Sequence, residues 1–339
     1  MFLNSRYSRQ ILFPPIGESG QRALKQKHVL IIGAGALGSS NAEVLVRAGV
    51  GKVTIVDRDY VDWSNLQRQQ LYEEADVVNQ LPKAIAAKQR LTAINADVHV
   101  EAYVLDATVE ELTRLMEDVD LVIDATDNFD TRLLVNDLSM KYCVPWIYGA
   151  CVGSYGLSYV IVPGETPCLS CLLESIPLGG MTCDTVGIIS PAVQMVVAHQ
   201  TTEALKILTS NTEALSRKLV SFDLWKNEFS RLDVQRCKNS NCASCGENPT
   251  YPFLAEENQT KSTVLCGRDT VQMRLPNKDV DLEHYAHALR EQATVTANPY
   301  LLSFMIEEYR LVLFKDGRVL IHGTKDITKA KTLYHRFFG

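Results

Sequence analysis

A glycine-rich turn between two apolar segments constrains the fold of this chain more than any other feature. A strand-like segment begins at His28 and leads into a helical pattern through Gly33, Gly35 and Gly38, and a second apolar segment ends at Asp57. This is the order of the nucleotide-binding βαβ unit, in which glycines permit a tight turn and a phosphate binds at the helix N-terminus. The acid about 20 residues beyond the turn is placed to bind ribose hydroxyls. The pattern therefore predicts a nucleotide-binding domain.

The apolar segments that follow alternate between strand and helix patterns, as a mostly parallel sheet covered on both faces requires. We predict strands at 29–32, 53–56, 98–104 and 121–125, helices at 37–48, 83–94 and 131–142, β-rich segments over 144–162 and a long buried helix at 191–208. The predicted fold class is α/β, with a Rossmann-like doubly wound sheet whose ligand lies at the carboxyl ends of the first strands.

A polar, linker-like stretch divides the chain. We place the nucleotide-binding domain at 1–247, the linker at 248–262 and a small α+β domain at 263–339. In the second domain we predict strands at 263–274, 301–306, 311–314 and 319–322 and helices at 282–291 and 328–337. The turn at Asp316-Gly317 between two apolar strands is typical of a hairpin. Nothing in the residues of this domain indicates its role.

Polar and charged residues crowd the segment after the second predicted strand. Asp59, Asn65 and Arg68 follow it closely, and Lys83 and Asp127 stand at the ends of later segments. A dehydrogenase has no reason to place so many such groups beside a dinucleotide. An enzyme that cleaves a triphosphate must position it and neutralise charge on the departing pyrophosphate. The cluster therefore favours ATP as the nucleotide.

With these residues, the sequence resembles the ThiF/MoeB adenylyltransferases, bacterial relatives of ubiquitin-activating enzymes. The matching motifs lie within 1–247 in the family's order: Arg6-Tyr-Ser-Arg9-Gln10, the glycine turn, Asp57-x-Asp59, Asn65-Leu-Gln67-Arg68-Gln69, Pro82-Lys83, Asp124-Ala-Thr-Asp127-Asn128 and two Cys-x-x-Cys pairs. The resemblance implies an ATP-dependent adenylyltransferase that works as a homodimer. Its substrate would be the C-terminal Gly-Gly carboxylate of a ubiquitin-like sulfur carrier protein, of ThiS or MoaD type. The product would become a thiocarboxylate for thiamine or molybdopterin cofactor biosynthesis.

The resemblance also implies roles for single residues. Asp59 and Asn65 would contribute to the nucleotide site, and Arg68 and Lys83 would bind the phosphates. Asp127 would bind Mg²⁺, a hard cation that carboxylate and phosphate oxygens suit. The residues alone leave a second interpretation for Asp127, the N-cap of the helix that follows it.

Two further residues take roles from the family alone. Arg9 would reach across a dimer interface into the partner subunit's ATP site. The alternative is that Arg6 and Arg9 flank Tyr7 on an ordinary N-terminal arm. Cys183 matches a cysteine that becomes covalently linked to the carrier in ThiF-like members, and in MoeB-like members the equivalent thiol is dispensable for adenylation. Adenylation is therefore expected to proceed without Cys183.

Two cysteine pairs, Cys168-Leu-Ser-Cys171 and Cys242-Ala-Ser-Cys245, supply enough thiolates for a closed tetrahedral Zn²⁺ site. Because protein ligands would fill the coordination sphere, the metal is expected to be structural. An iron–sulfur cluster uses the same number of ligands, and two separate redox pairs remain an alternative.

The other cysteines are predicted to be small buried residues: Cys143, Cys151, Cys237 and Cys266. Cys266 stands in a strand pattern, and the residues after it do not resemble the active loop of the rhodanese module that some family members carry. Sulfur is therefore expected from a separate protein, such as a cysteine desulfurase.

Composition limits the partners. The net charge of −6 gives no general attraction to nucleic acid or to anionic membranes. The N-terminus lacks the apolar core of a signal peptide, and no apolar run approaches the roughly 20 residues of a membrane span. We therefore expect a cytoplasmic protein with neither nucleic acid nor membrane as a partner.

Other functions leave parts of the pattern unexplained. An NAD-binding oxidoreductase would use the glycine turn and leave Asn65, Arg68, Lys83 and Asp127 without roles. A catalytically silent scaffold would be expected to have lost phosphate-binding residues, which are present here. Adenylation of another carboxylate, on a peptide or a modified tRNA, fits the same residues, but the chain shows no basic stripe for RNA.

Overall fold

The computed structural model describes residues 5–175, 186–255, 263–264, 269–275 and 279–338 of the chain. The backbone packs into two compact units, one formed by Met1–Val78 with Pro82–Glu257 and the other by Asn79–Leu81 with Asn258–Gly339. The domain limits drawn from the sequence stay a prediction. No pattern in the sequence indicates that the short segment Asn79–Leu81 packs with the C-terminal unit.

The first unit is built on an eight-stranded sheet with the order β3-β2-β1-β4-β5-β6-β7-β8. Its strands are β1 (His28–Ile32), β2 (Lys52–Asp57), β3 (His99–Val104), β4 (Leu121–Asp124), β5 (Trp146–Val152), β6 (Tyr155–Ile161), β7 (Lys218–Asp223) and β8 (Glu228–Asp233). The first five strands in chain order pair in parallel, and β6, β7 and β8 continue the sheet antiparallel. The predicted mostly parallel α/β fold is confirmed.

Helices cover both faces of this sheet. They are α1 (Ser8–Ile11), α2 (Gly17–Leu24), α3 (Ala36–Ala48), α4 (Glu74–Val78), α5 (Lys83–Ile94), α6 (Val109–Leu115), α7 (Phe129–Tyr142), α8 (Leu169–Ser175) and α9 (Ser190–Leu208). Within the described ranges, no helix combines the length and the apolarity that a membrane span needs.

Side chains on the two faces of the sheet pack into separate apolar cores. Leu30 and Ile32 of β1 pack in a core with residues of α6, α7 and α8, such as Leu112 and Leu138. A second core joins the start of α3 to α9 and β7. A strand covered on both faces must be apolar throughout, and all five residues of β1 are buried. This arrangement leaves the carboxyl ends of β1, β2 and β4 at one edge of the sheet.

The second unit contains a six-stranded sheet with the order β11-β12-β13-β14-β10-β9. Its elements are β9 (Thr263–Val264), β10 (Thr270–Arg274), α10 (Leu282–Leu289), β11 (Val295–Ala297), β12 (Leu301–Ile306), β13 (Tyr309–Phe314), β14 (Arg318–His322) and α11 (Ile327–Phe338). Both helices pack their apolar residues into one core with the sheet. The α+β character predicted for this part of the chain is therefore present.

The sequence prediction was wrong at two points in this unit. One strand was expected over 263–274, but this part of the chain contains two strands, β9 and β10, which pair antiparallel. Residues 265–268 lie outside the described part. The short strand β11 was not expected, because its pattern is too brief to read as a strand. It pairs antiparallel with β12.

The glycine turn allows a test of close packing. Gly33 has a φ of +97°, and a Cβ on it would overlap the carbonyl oxygen of Ala125. Gly164 has a φ of +81° and nothing within 4 Å of a Cβ. We expect Gly33→Ala to lower the free energy of unfolding by about 2 kcal/mol more than Gly164→Ala. Both substitutions put a Cβ on a residue in the left-handed region, but only the one at Gly33 creates an overlap. Urea unfolding of both variants measures the difference, and equal losses would contradict this account.

Candidate active site

The glycine turn is closed by the acid at the end of β2. Asp57 accepts hydrogen bonds from the backbone N–H of Ala34 at 2.6 Å and of Asp59 at 2.7 Å. Burial raises the pKa of Asp57, and the nearby ammonium of Lys83 opposes that rise. The acid therefore joins the turn to the segment after β2, where the sequence placed the nucleotide.

Gly38 and Gly35 of the turn differ in how much space there is for a side chain. A Cβ on Gly38 would overlap the carbonyl oxygen of Gly33, so glycine is needed there for packing within the chain. Gly35 stands at the N-cap of α3, and a Cβ on it would meet only the Nε2 atom of Gln69, at 3.8 Å. No contact within the described chain demands glycine at that point. The room at Gly35 suits a phosphate at the helix N-terminus.

Gln69 adds a polar group beside this turn. Its side chain is 4% exposed, and its Oε1 atom has no hydrogen-bond partner in the described part of the chain. An unpaired polar atom in a buried position is costly, so such atoms usually have a partner. A ligand bound at the glycine turn would supply one.

Lys83 is a buried cation at the first turn of α5. It is 3% exposed, its Nζ lies 3.4 Å from Asp59 Oδ2, and its backbone N–H donates to the Asp59 carbonyl at 2.9 Å. The hydroxyl of Tyr72 lies 2.6 Å from the Ala34 carbonyl and 3.2 Å from the Lys83 carbonyl. Burial raises the pKa of Tyr72 well above its usual value, so the hydroxyl stays a neutral donor. Lys83 is thereby held beside the glycine turn.

Asn65 and Arg68 are engaged within their own segment. Asn65 is buried, and its side-chain oxygen accepts from the backbone N–H of Asp62 at 3.0 Å as part of a capping box. Arg68 donates from Nη1 to the carbonyl of Ser64 at 2.8 Å. The structure therefore gives Asn65 a local structural contact, and the bond to Ser64 uses one of the five N–H donors of Arg68.

Asp127 is not the helix cap. The N-cap of α7 is Asn128, whose side chain accepts from the backbone N–H of Thr131 at 2.9 Å. Asp127 is exposed, just beyond the carboxyl end of β4. The cap interpretation of Asp127 is wrong, and its Oδ1 atom lies 3.4 Å from the side-chain amide of Asn128.

A buried ion pair that sequence reasoning missed shapes the segment before Asp127. Arg132 Nε donates to Asp124 Oδ2 at 3.0 Å, with side-chain exposures of 7% and 0%. Arg132 Nη2 also donates to the carbonyls of Thr126 at 2.6 Å and Gly149 at 3.1 Å. The other oxygen of Asp124 accepts from the backbone and hydroxyl of Thr126. Such a pair persists in a core because each group is hydrogen-bonded.

Arg58 is a second residue that the sequence analysis overlooked. Its Nη1 lies 3.3 Å from Asp106 Oδ1, just beyond β3. Burial lowers the pKa of Arg58, but the carboxylates of Asp59, Asp106, Asp127 and Asp57 outweigh burial and raise it. Arg58 therefore lies among the acids of the candidate site and offsets part of their charge. The only feature of the sequence that pointed to Arg58 was its position between Asp57 and Asp59, the two acids of the matched motif.

Arg9 and Cys183 are the two residues whose roles come from the family alone. Arg9 is exposed on α1, and none of the contacts described above joins it to the glycine turn. The arm is anchored beside it by Tyr7, which is buried and accepts a hydrogen bond from Asn95 at 2.8 Å. Cys183 lies outside the described residues.

The predicted cysteine cluster is assembled. The sulfurs of Cys168, Cys171, Cys242 and Cys245 all lie within 4.8 Å of one another. The pairs Cys168–Cys171, Cys168–Cys242 and Cys171–Cys245 are 3.9, 3.7 and 3.5 Å apart. A tetrahedral Zn²⁺ with bonds of about 2.3 Å would place its sulfurs about 3.8 Å apart. The cluster therefore fits Zn²⁺, and the close approach of sulfurs from both pairs argues against two separate redox pairs.

Helix α7 supports both halves of this cluster. Asn136 accepts from the backbone N–H of Leu169 at 2.8 Å and lies 3.4 Å from the hydroxyl of Ser170. Ser170 and Ser244, one from each Cys-x-Ser-Cys pair, are hydrogen-bonded at 3.0 Å. The next residue of α7, Asp137, interacts with Ser244. The helix that begins beside Asp127 is thus fixed to the cysteine cluster near its middle.

The prediction that the other cysteines are buried was wrong for Cys143. It is exposed, because it follows α7 at the C-cap in a left-handed conformation, with a φ of +55°. Cys151 and Cys237 are half-buried. Cys266 lies outside the described residues.

Comparison with known proteins identifies the family. The ThiF family profile matches residues 7–244. The chain belongs to the ThiF family. It is 56% identical over 339 residues to the sulfur carrier protein ThiS adenylyltransferase of Bacillus subtilis (strain 168), covering 99% of this chain and 100% of that protein.

A second relative agrees with this assignment, and a solved structure shares the fold. This ThiF family chain is 39% identical over 258 residues to the sulfur carrier protein adenylyltransferase of Thermus thermophilus, covering 74% of this chain and 94% of that protein. A crystal structure of E. coli MccB with succinimide superposes with a TM-score of 0.63 at 22% identity, over 73% of this chain and 75% of that chain. At that identity the likeness supports the fold alone.

The phosphate-binding roles can be tested by substitution. We expect Arg68→Ala, Lys83→Ala and Asp127→Ala each to lower adenylate formation by at least about tenfold, the scale of a lost transition-state contact. Lys88→Ala is the matched control, because Lys88 is exposed on the same helix as Lys83. Single-turnover formation of the adenylate is the measurement. Normal rates in all three variants would overturn the site.

The cysteine cluster makes a prediction about metal and stability. We expect Cys171→Ser to lose stoichiometric zinc and to lower the thermal midpoint by roughly 5–10 °C, because binding of a structural metal contributes to folding. Cys143→Ser, at an exposed cysteine outside the cluster, should change neither. Elemental analysis and calorimetry give the two readouts. Full zinc content in Cys171→Ser would remove that residue from the ligand set.

Proposed function

We propose that this protein is an ATP-dependent adenylyltransferase that activates the C-terminal Gly-Gly carboxylate of a small ubiquitin-like sulfur carrier of the ThiS type. The observation that carries the proposal is 56% identity, over essentially the whole of both chains, to a protein named as the ThiS adenylyltransferase. The grouping of Lys83, Asp57 and Asp59 around the glycine turn supports ATP as the nucleotide. The adenylated carrier would then become a thiocarboxylate for thiamine synthesis.

The reaction asks little acid–base chemistry of the enzyme. A chain-terminal carboxyl group has a reference pKa of about 3.3–3.7, so it is already ionised at neutral pH and needs no general base. One carboxylate oxygen forms a bond to the α-phosphorus of ATP while the bond from that phosphorus to the bridging oxygen of pyrophosphate breaks. The electron pair leaves with pyrophosphate. The enzyme must therefore hold the reactants in line and neutralise the charge of the leaving group.

The structure supports this division of work. Lys83 is desolvated and lies beside the glycine turn, so its ammonium would bind a phosphate strongly when it exchanges Asp59 for the ligand. Arg68 would make a similar exchange away from the Ser64 carbonyl. Lys83 and Arg68 thus each contact an oxygen of the chain, and each would bind an oxygen of ATP instead.

We propose Mg²⁺ as a further partner of the phosphates. Mg²⁺ in nucleotide sites is commonly held by one or two carboxylates together with substrate phosphates, and it would neutralise charge on pyrophosphate. Asp127 offers an exposed carboxylate just beyond β4, and the hydrogen bonds of Asp124 and Arg132 fix the segment that leads to it.

Assembly and sulfur transfer extend the proposal. We propose a cytoplasmic homodimer in which the exposed Arg9 reaches the ATP site of the partner subunit, since the anchored Tyr7 leaves Arg9 facing outward. The zinc would be structural. After adenylation, sulfur would come from a separate donor such as a cysteine desulfurase, with Cys183 as a candidate for covalent attachment to the carrier.

The reaction and its carrier can be tested together. We expect the purified protein to exchange labelled pyrophosphate into ATP only when a ThiS-type carrier is present. Carriers that lack the terminal Gly-Gly should be inactive, because they offer no correctly placed carboxylate. Exchange with a MoaD-type carrier instead would redirect the proposal to molybdopterin synthesis. Without exchange for either carrier, while ATP still binds, the substrate would have to be a different carboxylate.

A further inference from the structure

The C-terminal unit contains a short segment from far earlier in the chain. Asn79–Leu81 packs within this unit, more than 200 residues before its partners there. The side-chain amide of Asn298 donates to the carbonyls of Asn79 at 3.1 Å and Gln80 at 3.0 Å. The hydroxyl of Ser303, on β12, donates to the side-chain oxygen of Gln80 at 2.6 Å. The backbone and side chain of this segment are both hydrogen-bonded.

Asn298 is itself fixed in the orientation that these bonds require. Its side-chain oxygen accepts from the backbone N–H groups of Tyr300 at 2.9 Å and Leu301 at 3.0 Å. The oxygen of the Asn298 amide is therefore bonded to its own turn, and the nitrogen is bonded to the segment Asn79–Leu81. Ser303 is 4% exposed and lies in a strand paired on both sides. The donors are held by regular structure before they meet the segment.

The segment needs such support because its backbone is unusual. Gln80 has a φ of +49°, in the left-handed region that residues with a Cβ rarely adopt. That conformation costs an L-residue about 1–2 kcal/mol, and it persists where surrounding contacts impose it. The hydrogen bonds from Asn298 and Ser303 are contacts of this kind.

The segment Asn79–Leu81 leads into the start of α5, where Lys83 is the first residue. The chain passes directly from Leu81 through Pro82, the N-cap of α5, to Lys83. On the other side, Pro82 forms a bridge with Tyr60, and the backbone N–H of Lys83 donates to Asp59. The lysine thus begins its helix only three residues after the left-handed Gln80, so a change at Gln80 would reach the start of α5.

We propose that Asn298 and Ser303 are positioning residues for Lys83, which gives the C-terminal unit a part in ATP binding. They act through the backbone of Asn79–Leu81 and do not touch the nucleotide themselves. This inference rests on the proposed function only in taking Lys83 as a phosphate-binding group. Moving a binding group by about 1 Å can lower a reaction rate by a large factor. The hydrogen bonds of Asn298 and Ser303 are therefore significant for the site even though neither residue touches the nucleotide.

The test uses a substitution that removes one half of the Asn298 amide. Asn298→Asp keeps the oxygen that accepts from Tyr300 and Leu301 and loses the N–H groups that bind the segment. We expect the dissociation constant for ATP to rise about fivefold to tenfold, the scale of one or two hydrogen bonds. Ser303→Ala should produce a smaller rise. Gln292→Glu adds the same charge at an exposed residue of this unit and should leave ATP binding unchanged.

A double substitution separates positioning from general destabilisation. In a Lys83→Ala background, Asn298→Asp should weaken ATP binding by less than about twofold, because the group through which it acts is gone. Isothermal calorimetry measures the binding, and the thermal midpoint of each variant reports folding. Multiplied losses in the double variant, or unchanged ATP binding in both Asn298→Asp and Ser303→Ala, would overturn the inference.

ATP binding also keeps this test separate from the proposed function. If the wild-type protein binds ATP but activates no sulfur carrier, the proposed function fails while the binding measurements still decide the inference. If carrier-dependent exchange occurs and the Asn298→Asp and Ser303→Ala variants bind ATP as the wild type does, the inference fails alone.

Discussion

The close packing of the glycine turn against the end of β4 is the constraint on which the candidate site depends. Gly33 and Gly38 can approach each other and Ala125 only because neither carries a side chain. This contact fixes the start of α3 relative to the end of β4, and Asp57 then joins the same turn to the end of β2. Three strand ends are brought together, and the acids and cations that follow them meet at one place.

The cations at this place are paired with acids of the chain itself. Lys83 is paired with Asp59, and Arg58 lies among several carboxylates. The cationic side chains therefore rest on acids of the chain, which keeps a buried ammonium compatible with folding. A polyanionic nucleotide would compete for these cations, and a divalent cation would compete for the acids. The site is thus arranged to exchange internal ion pairs for those of a metal–nucleotide complex.

What could be predicted from the sequence was either local or indicated by the spacing of a recognisable motif. The helix over 83–94 matches α5 at both ends, because Pro82 and the apolar spacing lie within the segment itself. The cysteine cluster followed from residue spacing and chemistry. The pair of Arg132 with Asp124 and the packing of Asn79–Leu81 with the C-terminal unit could not be read in this way, since they depend on the folded chain. The cap at Asn128 was missed because Asp127 is an equally good capping residue by type.

The attachment of α7 to the cysteine cluster has a consequence for synthesis on the ribosome. The two cysteine pairs are joined by contacts across 74 positions of sequence, and the second pair is completed only by Cys245. Contacts of such long range form after local helices and strands, because the intervening chain must first be made and ordered. Asn136 can bond to Leu169 and Ser170 once the first pair has been made, but the contact of Asp137 with Ser244 of the second pair must wait for more than a hundred residues beyond Asp127. The attachment of α7 to the cysteine cluster is therefore completed late in synthesis, after most of the first unit has been made.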